Sequence, residues 1–249
     1  MTKLLQNKVA VISGANRGIG KCIAETFAEN GANIIACMRS VSPETVIWMN
    51  SLENKFNISV KPVLVEMSDE KSVKKSIKEI MVISKKIDIL VNNAGIASGA
   101  LFQMTTGVEL RKVFEINFFS QIAISQGIAK IMVKNKSGSI INLSSTAAFI
   151  ADSGTLAYGS SKSAFARATQ SMASELGSSN IRVNAIAPGV TKTDMFEQMS
   201  IDARNKLINS SALKRAAEPK DIANVSLFLA SDLSSHVTGQ VIRADGGIS

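Results

Sequence analysis

A tyrosine and a lysine four positions apart are the residues of this chain whose types and spacing most directly suggest chemistry. They lie in the stretch YGSSK at 158–162, and Tyr158 is the only tyrosine among 249 residues. On a helix, positions four apart share a face, so the phenol and the ammonium would lie one turn apart. A nearby positive charge favours the phenolate and is expected to lower the phenol pKa below its usual value of about 10. The pair therefore predicts a proton donor to a carbonyl oxygen undergoing reduction, with ordinary packing as the alternative.

Hydroxyl and amide side chains that could assist this pair occur earlier in the chain. The apolar run SIINL at 139–143 is followed by Ser144 and Ser145, and either hydroxyl could orient a carbonyl and stabilise charge developing on its oxygen. Asn117 lies between Ile116 and Phe118 in FEINFFSQ. If its amide is buried it needs hydrogen-bond partners, so a purely structural role for it remains open.

Seven short runs rich in β-branched residues alternate with longer segments of helical periodicity. Runs with little polar alternation are typical of strands covered on both faces, and strand–helix alternation favours parallel pairing with right-handed crossovers. The sequence contains no linker, low-complexity tract or internal repeat. It therefore predicts one α/β domain over residues 1–249, with a doubly wound parallel sheet of about seven strands flanked by helices. The predicted strands are 8–12, 33–37, 60–65, 87–91, 139–143, 181–187 and 240–244.

A glycine-rich turn follows the first predicted strand in SGANRGIGKCIAETFAENGA at 13–32. Gly14, Gly18 and Gly20 fall where the strand must turn into a helix, and small residues there let a diphosphate approach the backbone and the helix N-terminus. A P-loop is excluded, because five residues instead of four separate Gly14 from Gly20 and Cys22 follows Lys21. The turn predicts a dinucleotide site, and a glycine turn without a ligand is the alternative.

The end of the second predicted strand bears on which dinucleotide is bound. A carboxylate there would bind the adenosine ribose and repel a 2′-phosphate, but this chain has Met38 followed by Arg39. Arg17 lies in the glycine turn, and neither arginine has an acidic residue near it in the sequence. Guanidinium groups form bidentate bonds with phosphate, so we expect NADP(H) in preference to NAD(H). Either arginine could instead be an ordinary surface residue.

Composition limits the classes of molecule that the chain is expected to bind. The formal charge of +8, from 28 Lys and Arg against 20 Asp and Glu, permits phosphates, nucleic acid or an acidic carrier protein. The densest group of lysines, at 71–86, has helical spacing typical of a solvated face and no interleaved aromatic residues, so we expect no nucleic acid partner. Cys22 and Cys37 lack the spacing of a metal site or redox pair and are expected to be buried thiols. The absence of a signal peptide and of a run of about 18 apolar residues predicts a cytoplasmic protein without a membrane partner.

Several motifs in a fixed order carry a resemblance to a known family: SGANRGIG (13–20), NNAG (92–95), INLSS (141–145), YGSSK (158–162), APGVTKTDM (187–195) and VTGQVIRADGG (237–247). Together they resemble the short-chain dehydrogenase/reductase family over essentially the whole chain. The resemblance implies a Rossmann fold, a homotetramer, and catalysis by Asn117, Ser145, Tyr158 and Lys162. Ser145 and Tyr158 would contact the substrate, and Ser145 is favoured over Ser144 because the family's serine lies thirteen residues before its tyrosine. Asn117 would hold a water that relays protons to Lys162.

The same resemblance implies the cofactor contacts. Lys162 would bind the nicotinamide ribose, the NNAG motif would lie beside the adenosine half, and the threonines after the Pro188–Gly189 turn would meet the carboxamide or diphosphate. Glu66 and Met67 stand where the family usually has an Asp and an apolar residue against adenine. The expected cofactor-binding residues are Gly14, Asn16, Arg17, Gly18, Ile19, Gly20, Arg39, Glu66, Met67, Asn93, Ala94, Gly95, Tyr158, Lys162, Pro188, Gly189, Thr191 and Thr193.

The general likeness within the family is to 3-oxoacyl-[acyl-carrier-protein] reductases, which implies a substrate carried on an acyl carrier protein. Such enzymes dock the acidic carrier through basic residues near the site entrance. One such position falls on Lys136, but the other falls on Ser179, where an arginine would be expected. Apolar residues around the predicted site, among them Phe149 and Leu156, suit a small or medium apolar ketone or diketone as well as a 3-oxoacyl thioester. A non-catalytic NADP(H)-binding sensor or scaffold is the alternative from another class.

Overall fold

All seven predicted strands form in the computed structural model, which describes residues 3–248, and each strand end lies within two residues of its predicted position. The short β-branched runs are strands because both of their faces are covered by helices. The strands are β1 (Val9–Ser13), β2 (Asn33–Met38), β3 (Val60–Leu64), β4 (Ile89–Asn92), β5 (Gly138–Leu143), β6 (Ile181–Pro188) and β7 (Val241–Ala244).

The strands pair in one sheet in the order β3-β2-β1-β4-β5-β6-β7, and every pairing is parallel. The chain moves outward from β1 to β3 and then returns to place β4 on the other side of β1. The direction of winding therefore reverses between β1 and β4. Sheets of this type bind ligands in the crevice outside the carboxyl ends of the strands at such a reversal. The prediction of a doubly wound α/β fold is confirmed.

Helices connect the strands and lie on both faces of the sheet. They are α1 (Gly18–Glu29), α2 (Pro43–Phe56), α3 (Glu70–Ile83), α4 (Gly107–Phe114), α5 (Ser120–Asn135), α6 (Leu156–Leu176), α7 (Asp194–Glu197), α8 (Ile201–Ser210) and α9 (Pro219–Ala230). A π-helical turn at Glu115–Phe119 joins α4 to α5, so these elements form one long, locally widened helical segment.

Among residues 3–248 the apolar core forms two clusters, one on each face of the sheet. Val11 and Ile12 are neighbours on β1 and belong to different clusters, because successive side chains of a strand point to opposite faces. The cluster that contains Ile12 packs against α1, α2 and α9, and the cluster that contains Val11 packs against α3, α5 and α6. Cys37 is buried as predicted, whereas Cys22 is only partly buried at the edge of the first cluster.

Within residues 3–248, every helix is too short or too polar to span a lipid bilayer. In the same described residues, no three His, Cys, Asp or Glu side chains cluster closely enough to bind a metal ion.

Candidate active site

The glycine turn between β1 and α1 leaves no room for side chains. Gly14 and Gly18 have φ angles of +66° and +53°, which favour glycine. A β-carbon on Gly20 would lie 2.2 Å from the Gly14 carbonyl oxygen and 2.4 Å from Nδ2 of Asn93. Close contacts therefore require glycine at positions 14 and 20, and at position 18 glycine avoids the strain of a positive φ.

The start of α1 fits a bound phosphate. Arg17 occupies the N-cap position, but in the described structure no side chain caps the helix, and its first turn carries no acidic residue. The first N–H groups of such a helix lack intrahelical partners and attract anions. Gly18 and Ile19 contribute N–H groups to this first turn. These are the residues that would hold the diphosphate of a dinucleotide.

Hydrogen bonds of Asn93 connect the end of β4 to the glycine turn. Its Nδ2 donates to the carbonyl oxygens of Ser13, at 2.9 Å, and Gly14, at 3.2 Å. The Ser13 hydroxyl in turn accepts from the backbone N–H groups of Asn93 and Ala94. The structure thus places NNAG beside the glycine turn, where the cofactor is expected, and gives the Asn93 side chain a bracing role.

Ser144 and Ser145 have different surroundings at the end of β5. The Ser144 hydroxyl is buried and donates to the backbone carbonyl of Lys162 at 3.0 Å. Ser145 is half-buried, and its hydroxyl accepts from the backbone N–H of Ala147 and interacts with the Tyr158 phenol. The hydroxyl that faces the phenol is therefore that of Ser145, as the thirteen-residue spacing predicts.

The turn that follows Ser145 packs tightly on the start of α6. A β-carbon on Gly159 would lie only 2.8 Å from the carbonyl oxygen of Ala147, and the Ser163 hydroxyl donates to the carbonyl of Ala148 at 2.8 Å. This close approach of the turn to the helix holds Ser145 opposite Tyr158.

Tyr158 and Lys162 lie on one face of α6, as their spacing predicts, and Lys162 Nζ is 5.9 Å from the centre of the Tyr158 ring. Burial raises the pKa of the Tyr158 phenol, and the hydrogen bond with Ser145 opposes that shift. The expected lowering of this pKa by Lys162 is therefore wrong for the protein by itself. Sequence spacing shows that the two groups are near each other, but it does not show how far the phenol is removed from water.

Lys162 is only 5% exposed, and its Nζ donates to the carbonyl oxygen of Leu143 at 2.7 Å. Burial lowers the pKa of this amine from 10.5 to about 8. The amine is thus still mainly protonated at neutral pH. Within the described residues Leu143 is its one hydrogen-bond acceptor, so further N–H donors remain for a ligand in the crevice.

Asn117 is completely buried in the π-helical turn, and residues 3–248 supply partners for its whole amide. Its Oδ1 accepts from the N–H of Ile96 at 2.9 Å, and its Nδ2 donates to the carbonyl of Ile96 at 2.9 Å and to the Ser161 hydroxyl at 3.1 Å. A β-carbon on Gly95 would lie 3.2 Å from this Oδ1 and 3.5 Å from Lys162 Nζ. Asn117 therefore lies beside Lys162 and fixes the loop that follows Gly95.

The two arginines expected to bind phosphate have acidic neighbours that the sequence does not reveal. Arg17 Nη1 lies 3.0 Å from Oδ2 of Asp194, and both side chains are mostly exposed. Arg39 is exposed and contributes to lowering the pKa of Glu66. Neither arginine has an acid near it in the sequence, but the fold brings Asp194 into an ion pair with Arg17 and brings Glu66 near enough to Arg39 for its charge to be felt.

Glu66 and Met67 point to different environments after β3. Ser68 donates to the Glu66 carboxylate through both its backbone N–H and its hydroxyl, which is the main cause of the lowered Glu66 pKa. The Met67 side chain is buried in the second core cluster, and its carbonyl accepts from the Ser120 hydroxyl at 2.6 Å. Of the two, only the Glu66 side chain is open to a ligand.

The segment after β6 closes the other side of the crevice. A β-carbon on Gly189 would lie 2.8 Å from Cα of Asp245, so the turn after Pro188 passes tightly against the end of β7. Thr191 is buried, whereas Thr193 is half-buried and its Cγ2 would lie 3.3 Å from a β-carbon on Gly18. This segment therefore lies beside the glycine turn.

The carboxyl ends of the strands bring the predicted site residues together. They are the glycine turn, NNAG, Ser145, Tyr158, Lys162 and the 188–193 segment. Asn16 and Ile19 belong to the glycine turn; Asn16 is exposed, and Ile19 packs on the first core cluster.

Three contacts hold α7 and α8 near these strand ends, and the sequence gives no sign of them. Lys206 Nζ lies 3.2 Å from Oδ1 of Asp152, in the loop before α6. The Arg204 guanidinium lies 4.5 Å from the Phe196 ring centre and 3.0 Å from the Glu197 carboxylate. These contacts join residues far apart in sequence or depend on the turn between α7 and α8, so no local pattern predicts them.

Lys136 does not lie at the entrance of the site in this chain. It follows α5 immediately before β5 begins, and Asn180 beside Ser179 donates to its carbonyl at 3.2 Å. The site residues follow the carboxyl ends of the strands, and the six residues of β5 span about 20 Å. Lys136 and Ser179 lie at the amino ends of the strands, whereas the site lies at their carboxyl ends. The expectation that these two positions border the site entrance is therefore wrong within one chain.

The chain is similar in sequence and in fold to known proteins. A family model described as "Enoyl-(Acyl carrier protein) reductase" matches residues 14–249. The chain belongs to the short-chain dehydrogenase/reductase family of oxidoreductases, whose members bind a nicotinamide cofactor.

Individual relatives span nearly the full length of the chain. The 3-oxoacyl-[acyl-carrier-protein] reductase FabG of Aquifex aeolicus strain VF5 is 35% identical and covers 98% of each chain. The 3alpha-hydroxysteroid dehydrogenase of Mediterraneibacter gnavus is 37% identical over 99% of this chain and 98% of its own. Among solved structures, a 7 alpha-hydroxysteroid dehydrogenase complexed with NADH and 7-oxo glycochenodeoxycholic acid superposes with a TM-score of 0.90, at 33% identity over 99% of this chain and 96% of its own.

Proposed function

We propose that residues 1–249 form one catalytic domain that reduces a ketone to a secondary alcohol with NADPH, and that 3-oxoacyl thioesters are its main substrate class. The observation that carries this proposal is the meeting of the Ser145 hydroxyl, the Tyr158 phenol and the buried Lys162 amine beside the glycine turn. The similarity to 3-oxoacyl-[acyl-carrier-protein] reductases supports the choice of substrate.

The residues of the crevice have separate roles in this proposal. The start of α1 binds the diphosphate, and Arg17 and Arg39 bind the 2′-phosphate. The reduced nicotinamide, when bound, supplies the hydride. NNAG and the 188–193 segment flank the cofactor, and Lys162 binds its nicotinamide ribose.

Proton transfer is assigned to Tyr158. Its raised pKa keeps the phenol protonated at neutral pH, so it is a ready hydrogen-bond donor to a carbonyl oxygen. As charge develops on that oxygen, Ser145 stabilises it by a second hydrogen bond while the phenol gives up its proton. The Lys162 ammonium one turn away then stabilises the phenolate that remains.

Asn117 has a positioning role in this scheme. Its amide holds the Ile96 backbone and borders Gly95 together with Lys162. The Lys162 ammonium would return a proton to the Tyr158 phenolate, and a water near the Asn117 turn would then reprotonate the Lys162 amine. This relay requires the geometry of the π-helical turn to be maintained.

The substrate class is tested by following NADPH oxidation with acetoacetyl thioesters, small diketones and 3-oxosteroids. We expect turnover with acetoacetyl thioesters, and comparing kcat/KM for an acyl-carrier-protein thioester and for a small thioester tests whether the carrier itself is recognised. Preferential turnover of 3-oxosteroids would instead favour the hydroxysteroid dehydrogenase activity named for another relative. Tight NADPH binding without turnover of any carbonyl would support the sensor or scaffold alternative and overturn the reductase proposal.

Cytoplasmic location and a homotetramer are also proposed. Both remain predictions, which fractionation of cells and light scattering of the purified protein would test directly.

A further inference from the structure

Two segments that start three strands apart touch each other above the crevice. β1 and β6 are separated by β4 and β5 in the sheet, a distance of about 14 Å at ordinary strand spacing. The loop after β1 nevertheless meets the segment after β6 at two points. Arg17 pairs with Asp194 at 3.0 Å, and Gly18 lies against the Thr193 side chain. The two loops therefore arch over the carboxyl ends of β4 and β5.

The position of this arch matters for ligand binding. The reversal of winding between β1 and β4 lies beneath it, and a dinucleotide bound there must pass along the same edge. The Arg17–Asp194 pair joins the two walls that such a ligand contacts. A negatively charged ligand thus meets a guanidinium that already has a carboxylate partner.

The second arginine provides a contrast. No carboxylate lies within ion-pair distance of Arg39 among residues 3–248, whereas the Arg17 pair is short and well formed. A phosphate dianion and a carboxylate compete for the same N–H donors of a guanidinium, and they repel each other when close. Asp194 is therefore placed to weaken phosphate binding at Arg17 without affecting Arg39 directly.

We propose that Asp194 determines the strength and selectivity of NADP(H) binding by competing with the 2′-phosphate of the cofactor for the Arg17 guanidinium. This inference rests on the proposed use of NADPH. It assigns to Asp194 a role that weakens the preference for NADP(H) over NAD(H). Binding of the phosphate exchanges one anion for another at Arg17 and releases the contact between the two loops. The chain then binds NADPH less tightly, and discriminates less against NADH, than its two arginines alone would allow.

The test compares the dissociation constants of NADPH and NADH, by fluorescence titration of the full chain, for the wild type, Asp194→Asn, Arg17→Met and the double variant. Asp202→Asn is the matched control, because it removes an equal charge from exposed α8, where Asp202 forms no ion pair in the described part of the chain. Asp194→Asn should tighten NADPH binding about two- to fivefold, the range expected for release of an exposed ion pair. NADH binding should change much less, and Asp202→Asn should change neither.

The double variant decides whether the effect passes through Arg17. With Arg17→Met in place, Asp194→Asn should no longer tighten NADPH binding. An unchanged NADPH constant in Asp194→Asn, equal tightening of NADH, or the same tightening in the Arg17→Met background would each overturn the inference. If the wild type binds NADH as tightly as NADPH and Arg17→Met alters neither constant, the proposed NADP preference fails as well. The two failures are thereby distinguished.

Discussion

The ammonium of Lys162 lies 5.9 Å from the centre of the Tyr158 ring. At this distance Lys162 can stabilise a phenolate, yet burial raises the pKa of Tyr158 and lowers that of Lys162. Both shifts have the same cause, because removal from water disfavours the charged form of each group. In the protein by itself the pair is thus held with the phenol protonated, which is the state a proton donor requires.

The first prediction concerns the ionisation of Tyr158. Because it is the only tyrosine, phenolate absorbance during alkaline titration reports this residue alone. We expect a midpoint above 10 in the folded protein, since burial raises the pKa, and a lower midpoint when oxidised cofactor adds a positive charge nearby. The chain unfolded in denaturant, as the control, should titrate near 10. A midpoint at or below 10 for the folded protein by itself would contradict the prediction.

The second prediction concerns Lys162→Met and stability. Burial lowers the Lys162 pKa from 10.5 to about 8, so between these values the unfolded chain binds more protons at this site than the folded chain does. The wild type therefore gains stability as pH rises from about 8 to 10.5, and the variant lacks this gain. The difference in free energy of unfolding should move in favour of the wild type by up to about 3 kcal/mol over this range.

Denaturant unfolding of both proteins at several pH values measures this difference. Tyr158 is present in both proteins, so its own ionisation largely cancels. A difference that does not vary with pH would show that Lys162 carries no desolvation penalty.

The third prediction separates the two serines after β5. Ser145→Ala should lower turnover about 10²–10³-fold, the usual effect of losing one donor to a developing oxyanion. It also loses the hydrogen bond from the Ala147 N–H, so it should cost about 0.5–1 kcal/mol of stability. Ser144→Ala removes a buried hydroxyl that donates to the Lys162 carbonyl, so it should cost about 1–3 kcal/mol of stability. Steady-state kinetics and urea unfolding of the two variants check this contrast. Equal loss of turnover without loss of stability in both would refute the separate roles.

The fourth prediction concerns Asn117. Asn117→Ala leaves the N–H and carbonyl of Ile96 without their partner, which should cost about 1–3 kcal/mol of stability. Asn135→Ala, a matched change at the exposed end of α5, should stay within about 0.5 kcal/mol of the wild type. Thermal and urea unfolding measure both. An Asn117→Ala protein as stable as the Asn135→Ala protein would show that the buried amide does not support the loop.

The sequence predicts the sheet well, because each strand is a short run rich in β-branched residues. The seven β-branched runs become strands covered on both faces, and the glycine turn falls where β1 ends. The residues by themselves do not separate Ser145 from Ser144; the choice of Ser145 comes from the serine-to-tyrosine spacing that the resemblance to the family implies.

Other features depend on contacts that no local pattern contains. Arg17 and Asp194 are 177 positions apart, and only the folded sheet brings them together. The raised pKa of Tyr158 depends on burial and could not be predicted from the neighbouring lysine. Lys136 lies away from the site because it adjoins the amino end of β5, and that end is known only once the strand directions are known. The π-helical turn around Asn117 is a small change of helical pitch that amino-acid composition does not predict.

The most direct test of the central claim is the rate of NADPH oxidation by Tyr158→Phe with an acetoacetyl thioester. This change removes one hydroxyl oxygen and keeps the ring that packs in the crevice. We expect kcat to fall by about 10²–10⁴-fold or more, the effect of losing a general acid, while the dissociation constant for NADPH stays close to that of the wild type. A Tyr158→Phe protein that reduces the thioester at nearly the wild-type rate would contradict the proposal that this phenol supplies the proton.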